Sequence, residues 1–228
     1  MESINTKTPQ CVGFIMDGNR RFARAQGLEV ALGHLAGKDK LMEVIRWTAE
    51  ADIPHIVVYA FSTENWRRSE EEVKALLALF SMVIAEFDAR SEKDFAVRFI
   101  GHRSDFSPEL QADMEHLEKA SVGELKVTVW IALSYGGRAE IVEATNRAIE
   151  LGKKVDEESF AKLLWTNDMP DPDLIIRTGG EQRLSNFLPW QSVYSELFFI
   201  DTYWPAFTKE EFTRILSAYA ARERRIGT

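Results

Sequence analysis

A chain of 228 residues, 45% hydrophobic and 28% charged, has the make-up of an ordinary globular protein and can bury a full core without disulfides or structural metal. A net charge of −8 argues against nucleic acid as a partner, because phosphate backbones select basic faces, and no run approaches the ~18 apolar residues of a membrane span. Cys11, the one cysteine, cannot form an internal disulfide, and Met1–Gln10 lacks the apolar stretch of a signal peptide, so a cytoplasmic location is expected.

The first strand candidate, Cys11–Asp17 (CVGFIMD), is apolar and ends in a charged turn. A helix over Gly37–Asp52 carries Leu41, Val44, Ile45 and Thr48 on one face, and Pro54 precedes a β-branched, aromatic strand at His55–Ser62. The helix Glu70–Ala89 repeats Val73, Leu76, Leu77, Phe80, Ile84 and Phe87 at helical spacing. Next come a strand at Phe95–Gly101, a helix at Ser107–Ala120, a strand at Lys126–Ser134 and a helix at Arg138–Leu151. Strands at Asp173–Arg177 and Leu197–Ile200 and a helix at Thr208–Arg222 complete the pattern, with Ser107 and Thr208 as N-cap signals. Such alternation predicts one α/β domain over 1–228, with a mostly parallel six-stranded sheet flanked by helices. Ligand sites in such sheets lie at the carboxyl ends of the strands.

The turn after the first strand, Asp17-Gly18-Asn19, leads into a helix start with Arg20, Arg21 and Arg24 and no acid up to Ala25. Gly18 permits a tight turn, the helix N-terminus offers free N–H groups to a phosphate, and Mg²⁺ on a diphosphate commonly needs only one or two carboxylates. By itself the motif fits a diphosphate cradle and a capped helix with a solvated basic face equally well. Arg177 and Arg183 bracket Gly179-Gly180, a second candidate anion site, whereas Arg222, Arg224 and Arg225 alone read as a solvated face. Neither a Walker motif nor GxGxxG is present.

Three long stretches carry a resemblance: IMDGNRRFARAQG followed by GHLAG, YAFSTENWRRSEEEV at Tyr59–Val73, and DLIIRTGGEQRLSNFLPWQSVYSE at Asp173–Glu196. In order and spacing they resemble the cis-prenyltransferase family, which includes undecaprenyl diphosphate synthase. The resemblance implies Mg²⁺-dependent condensation of isopentenyl diphosphate with an allylic prenyl diphosphate, giving a Z-polyprenyl diphosphate, with a hydrophobic tunnel for the product. It further implies a homodimer and a peripheral membrane contact for product release. Short-chain or branching synthesis on the same fold, and a non-catalytic partner subunit, are the competing readings. Asp17, Asn65, Arg177, Arg183, Ser185 and Glu196 argue against the latter, since a scaffold needs none of them.

Residue by residue, the resemblance gives Asp17 and Glu196 to the metal, and the allylic diphosphate to Gly18, Asn19, Arg20, Arg21 and His34, with Phe22 beside them. Asn65 matches the residue that positions or accepts the proton lost from isopentenyl diphosphate. A neutral amide is a poor base, so it is read here as an orienter. Ser62, Thr63, Glu64, Trp66 and Arg68 match positions around both substrates, on a stretch expected to be a mobile loop, with Trp66 either a packed aromatic or, as the sharper reading, a lid anchor. Arg177, Arg183 and Ser185, with Leu184 between them, would hold isopentenyl diphosphate, and the tail Arg222–Gly227 resembles one that reaches the site across a dimer. The sequence departs from the family pattern at Cys11, Arg20, Phe22 and above all Val30, which stands where an arginine usually contacts the allylic diphosphate. Ala60 and Trp130 are the small and large candidates for the tunnel wall.

Overall fold

The computed structural model describes residues 8–89, 95–121 and 126–222. The tail beyond Arg222, with Arg224 and Arg225, lies outside the described residues. All six strands form: β1 Cys11–Ile15, β2 His55–Ser62, β3 Phe95–Ile100, β4 Val127–Tyr135, β5 Leu174–Arg177 and β6 Glu196–Phe199. They make one sheet in the order β3-β4-β2-β1-β5-β6, and every pairing is parallel. The chain leaves central β1 for β2 on one side and later returns to β5 on the other, so the topological switch point falls at the carboxyl ends of β1 and β5.

The helices are α1 Asn19–Ala25, α2 Val30–Glu50, α3 Glu70–Asp88, α4 Pro108–Ala120, α5 Gly137–Glu150, α6 Glu157–Ala161 and α7 Lys209–Ala220. Ser107 and Thr208 cap α4 and α7 through their side chains, as expected. Helix α2 begins seven residues before the expected start at Gly37. Gly33 and Gly37 both lie inside it and let α1 approach closely. A Cβ on Gly33 would stand 2.3 Å from the Asn19 carbonyl oxygen, and one on Gly37 2.3 Å from Asn19 Oδ1.

Alternation along the strands splits the core. Val12, Phe14, Ile56, Val58, Val129 and Ile131 pack with α2, α3, α4 and α7, while Cys11, Val57, Trp130 and Ala132 pack on the other face. Trp130 therefore cannot floor a tunnel between α2 and α3; its indole reaches His55 instead. The β2–β4 register shifts between Tyr59 and Phe61 and again at Ser62, which turns both Ala60 and Phe61 to the α2–α3 side. Cys11 is fully buried, and burial, with Asp173 and Asp171 nearby, pushes its thiol pKa well up.

Candidate active site

Asp17 leaves the end of β1 beside the end of β5, where Ile15 pairs with Arg177. Its Oδ2 accepts from Arg177 Nη2 at 2.8 Å and its Oδ1 from Arg21 Nη2 at 3.0 Å. Thr178 Oγ1 donates to its carbonyl at 2.7 Å, which fixes the backbone. Burial works to raise the Asp17 pKa, but Arg177 and then Arg21 outweigh it and hold the carboxyl below its ordinary value. Gly18 caps α1 at φ 108°, and a Cβ there would lie 2.8 Å from the Tyr203 ring.

Arg177 is only 4% exposed. Besides Asp17, it donates from Nη1 to Ser185 Oγ at 2.7 Å and to the Arg183 carbonyl. Gly179 and Gly180 both take positive φ, and a Cβ at Gly179 would stand 2.7 Å from Arg21 Nη2. The expected fork of Arg177, Arg183 and Ser185 forms only in part. The Arg183 guanidinium turns outward to Glu181 at the rim, which gives it a partner in solvent, and only its carbonyl faces Arg177.

These groups open onto a cavity of about 600 Å³ lined by Asp17, His34, Tyr59, Ser62, Glu64, Asn65, Arg68 and Arg177 among others. A basic annex of about 340 Å³ adds Gly18, Arg20, Arg21 and Arg24 and shares Asp17, His34 and Arg68. Glu72 holds Arg68 at 2.7 Å and Arg20 at 3.4 Å, so both guanidiniums are presented together. His34 Nε2 and Arg177 Nε are buried with no hydrogen-bond partner among the described residues, which is costly unless a ligand supplies acceptors. Burial, reinforced by Arg68 and Arg20 against Glu72, lowers the His34 pKa and leaves the imidazole neutral at pH 7.

The stretch after β2 is a tight 3₁₀ turn, Thr63–Arg67, closed by a capping box, rather than the expected loop. Ser62 N–H donates to Asn65 Oδ1 at 3.0 Å, which leaves the Asn65 NH₂ for the cavity. Burial would raise the Glu64 pKa, but its own N–H, Asn186 and the Ser62 and Thr63 hydroxyls lower it on balance. Trp66 takes the position of a packed aromatic and does not line the cavity: its indole N–H needs a partner away from water and donates to Ser134 Oγ at 2.8 Å, with the ring against Phe61 and Phe106. Thr63, Phe22 and Leu184 do not line the cavity either. Thr63 abuts Gly136, Phe22 is half-buried on α1, and Leu184 joins the second core cluster.

Glu196 starts β6 opposite Leu174, at the end of the sheet away from Asp17. Three residues of strand, about 10 Å, separate that position from the register of Arg177. Its carboxylate pairs with Arg222. One chain therefore does not bring Glu196 to the same metal as Asp17, because parallel strands put the two carboxylates at opposite ends. Among the described residues no three His, Cys, Asp or Glu groups converge to hold a metal. The sequence reading missed Tyr59, Leu76 and Asn186 in the lining. The left-handed Asn186 (φ 67°), beside left-handed Ser185, is a turn that the Ser-Asn pair could have signalled.

A model of the undecaprenyl diphosphate synthase family of prenyltransferases matches residues 15–227. An isoprenyl transferase of Thermus thermophilus is 45% identical over 96% of this chain and 89% of its own length. A tritrans,polycis-undecaprenyl-diphosphate synthase (geranylgeranyl-diphosphate specific) of Methanopyrus kandleri is 41% identical over 97% of this chain and 85% of its own length. Among solved structures, lavandulyl diphosphate synthase from Lavandula x intermedia, in complex with dimethylallyl diphosphate, superposes with a TM-score of 0.89 at 31% identity, covering 97% of this chain and 99% of that one.

Proposed function

The chain belongs to the undecaprenyl diphosphate synthase family of isoprenyl transferases, and from that premise we propose that it joins isopentenyl diphosphate to an allylic prenyl diphosphate, with Mg²⁺, to give a Z-polyprenyl diphosphate in the cytoplasm. The observation that carries the reading is Asp17 clamped by Arg177 and Arg21 at the mouth of a cavity with two distinct sides. One side is basic. The other runs past Ala60 and Leu76 into an apolar recess of about 90 Å³ between α2 and α3, lined by Leu41, Leu79, Phe80 and Ile131.

Condensation breaks the allylic C–O bond, and the electron pair departs on diphosphate. The isopentenyl double bond attacks the resulting cation, and a proton is lost to a diphosphate oxygen. Arg20, Arg21, Arg68 and the buried His34 nitrogen would hold the departing diphosphate, with the backbone at Gly18 and Asn19. Arg177 and Ser185 would hold isopentenyl diphosphate. With its oxygen committed to Ser62, Asn65 offers a donor, so it orients a diphosphate rather than taking a proton. Ala60, Leu76 and the recess would keep water from the cation and receive the growing chain.

A single carboxylate with free lone pairs beside anion donors fits Mg²⁺ arriving on a diphosphate, which retains waters and needs few protein ligands. Asp17 would hold it, and it would supply Lewis-acid stabilisation of the leaving group. A homodimer accounts for Glu196, which lies on the open edge strand β6 near exposed Val193 and Tyr194. Exposed Leu28, Leu32, Leu35 and Met82 beside the α2–α3 groove support a peripheral membrane contact; among the described residues no helix is long and apolar enough to cross a membrane.

The test is incubation with isopentenyl diphosphate, Mg²⁺ and a panel of allylic diphosphates, followed by product analysis. Z-polyprenyl products are expected, and products of one or two units only would establish the short-chain alternative. Val30 sets a second test. It lines the α2–α3 groove alongside Arg20, which also reaches the basic annex. Arg20 thus occupies the side on which Val30 leaves a gap. Arg20→Ala is expected to weaken a non-hydrolysable allylic analogue by about tenfold or more, the worth of one charge-assisted hydrogen bond. Val30→Arg should not tighten it, because the new charge meets Arg20. Calorimetric titration of both variants checks this; tighter binding in Val30→Arg with no loss in Arg20→Ala would refute it.

A further inference from the structure

Trp66 sits at the start of a hydrogen-bond chain that runs away from the cavity. Its indole N–H donates to Ser134 Oγ at 2.8 Å, Ser134 Oγ donates to Asp105 Oδ2, and Asp105 Oδ1 meets His102 Nδ1 at 2.8 Å. The polarity of the chain is fixed. An ionised carboxylate only accepts, so the Ser134 hydroxyl must spend its proton on Asp105 and turn its lone pairs to the indole. Ser134 is fully buried and held at φ 45°, a left-handed backbone that a non-glycine residue adopts only when its surroundings impose it. Its neighbours impose it here. His102 N–H donates to the Ser134 carbonyl at 3.2 Å, and at Gly101 a Cβ would stand 1.9 Å from the Leu133 oxygen.

The chain ends where the β2–β4 ladder is irregular. Between Tyr59 and Ser62 the β2–β4 pairing slips twice, so regular backbone bonds do not set the direction in which β2 leaves the sheet. The 3₁₀ turn that follows carries Glu64 and Asn65 into the cavity, with Ser62 before it and Arg68 after. On the core side the turn is tied by Trp66. We propose that Ser134 and Asp105 are positioning residues for the prenyl transfer: through the Trp66 indole they fix the Thr63–Arg67 turn and so the places of Asn65 and Glu64 at the substrates. Neither touches the cavity. The proposal rests on the reading of that cavity as the reaction site.

The test is a double-mutant cycle on the full chain. Trp66→Phe keeps an aromatic ring against Phe61 and removes the donor together with the pyrrole part of the indole; Ser134→Gly removes the hydroxyl and eases the backbone. Each is expected to lower kcat by about tenfold to a hundredfold, the scale of a misplaced catalytic group. The thermal transition should stay cooperative, and exchange of the Thr63–Arg67 amides should quicken. The double variant should be no worse than the poorer single one, because both cut the same chain. Asp105→Asn, which still accepts from Ser134, should retain most of the activity, and Asp105→Leu should fall to the level of Ser134→Gly. The proposal is overturned if kcat of the folded single variants stays within about twofold of wild type, whatever their melting temperatures, or if the two losses multiply. A wild-type enzyme that turns over no allylic diphosphate would instead strike the proposed function, so the two failures are distinct.

Discussion

Asp17→Asn is expected to lower kcat by about a thousandfold, the equivalent of ~4 kcal/mol of transition-state stabilisation. Asparagine retains an oxygen for Arg177, so the turn at the end of β1 should survive: its backbone is held separately by Thr178 and by Trp204 N–H. What disappears is the negative charge. With Arg177 and Arg21 still aimed at that point, the variant presents uncompensated cations and no anionic metal ligand. Diphosphate binding should therefore persist while its response to Mg²⁺ flattens. Steady-state kinetics over a Mg²⁺ titration, with an excess-chelator control, measure both. Wild-type turnover undiminished in chelator, or an asparagine variant within about tenfold of wild type, would show that the metal is not used here.

Arg177→Ala should bring the second-largest effect, on stability as well as activity. Removing one partner of a buried ion pair commonly costs 3–5 kcal/mol; Asp17 retains some solvent contact, with a side chain 29% exposed, so about 2–3 kcal/mol is expected. The loss should depend on pH in a definite direction. In wild type the Asp17 pKa lies below its ordinary value because Arg177 and Arg21 outweigh burial. Its stabilisation is fully present above the unfolded carboxylate value and fades as pH falls through the lowered one. In the variant burial loses its main opponent and the pKa rises. The stability gap should be widest near neutral pH and narrow on acidification. Urea unfolding at pH 7 and at pH 4 measures it, and a gap that widens in acid would contradict the assignment. Affinity for isopentenyl diphosphate should also fall, because Ser185 Oγ loses the guanidinium that orients it.

The strands were largely legible because their patterns are local. The β-branched run at His55–Ser62 matches β2 at both ends, and Leu41, Val44, Ile45 and Thr48 do share the buried face of α2. Long-range geometry was not legible. The expected helix starts only at Gly37, yet Gly33 and Gly37 both lie within α2, and their lack of side chains serves a helix contact that no spacing rule encodes. Trp66 and Glu196 show the same limit at the site. A motif names both, but a hydroxyl on β4 captures the indole, and parallel pairing carries the glutamate to the far end of the sheet. The groups gathered at the cavity, Asp17, His34, Asn65 with Arg68, and Arg177, come from four separate chain segments, and only the family pattern could have assembled them from sequence.

The glycine contact between α1 and α2 has a consequence for how the enzyme would meet its substrates. With Gly33 and Gly37 seated against Asn19, the helix bearing Arg20 and Arg21 cannot shift toward or away from the helix bearing His34 without a clash or a void. That side of the cleft behaves as a fixed jaw. Its guanidiniums are already mounted on one rigid body, so little framework freedom is given up when a diphosphate lands there. Tails of different bulk then meet the opposite jaw, α3, which follows the turn that Trp66 pins through Ser134.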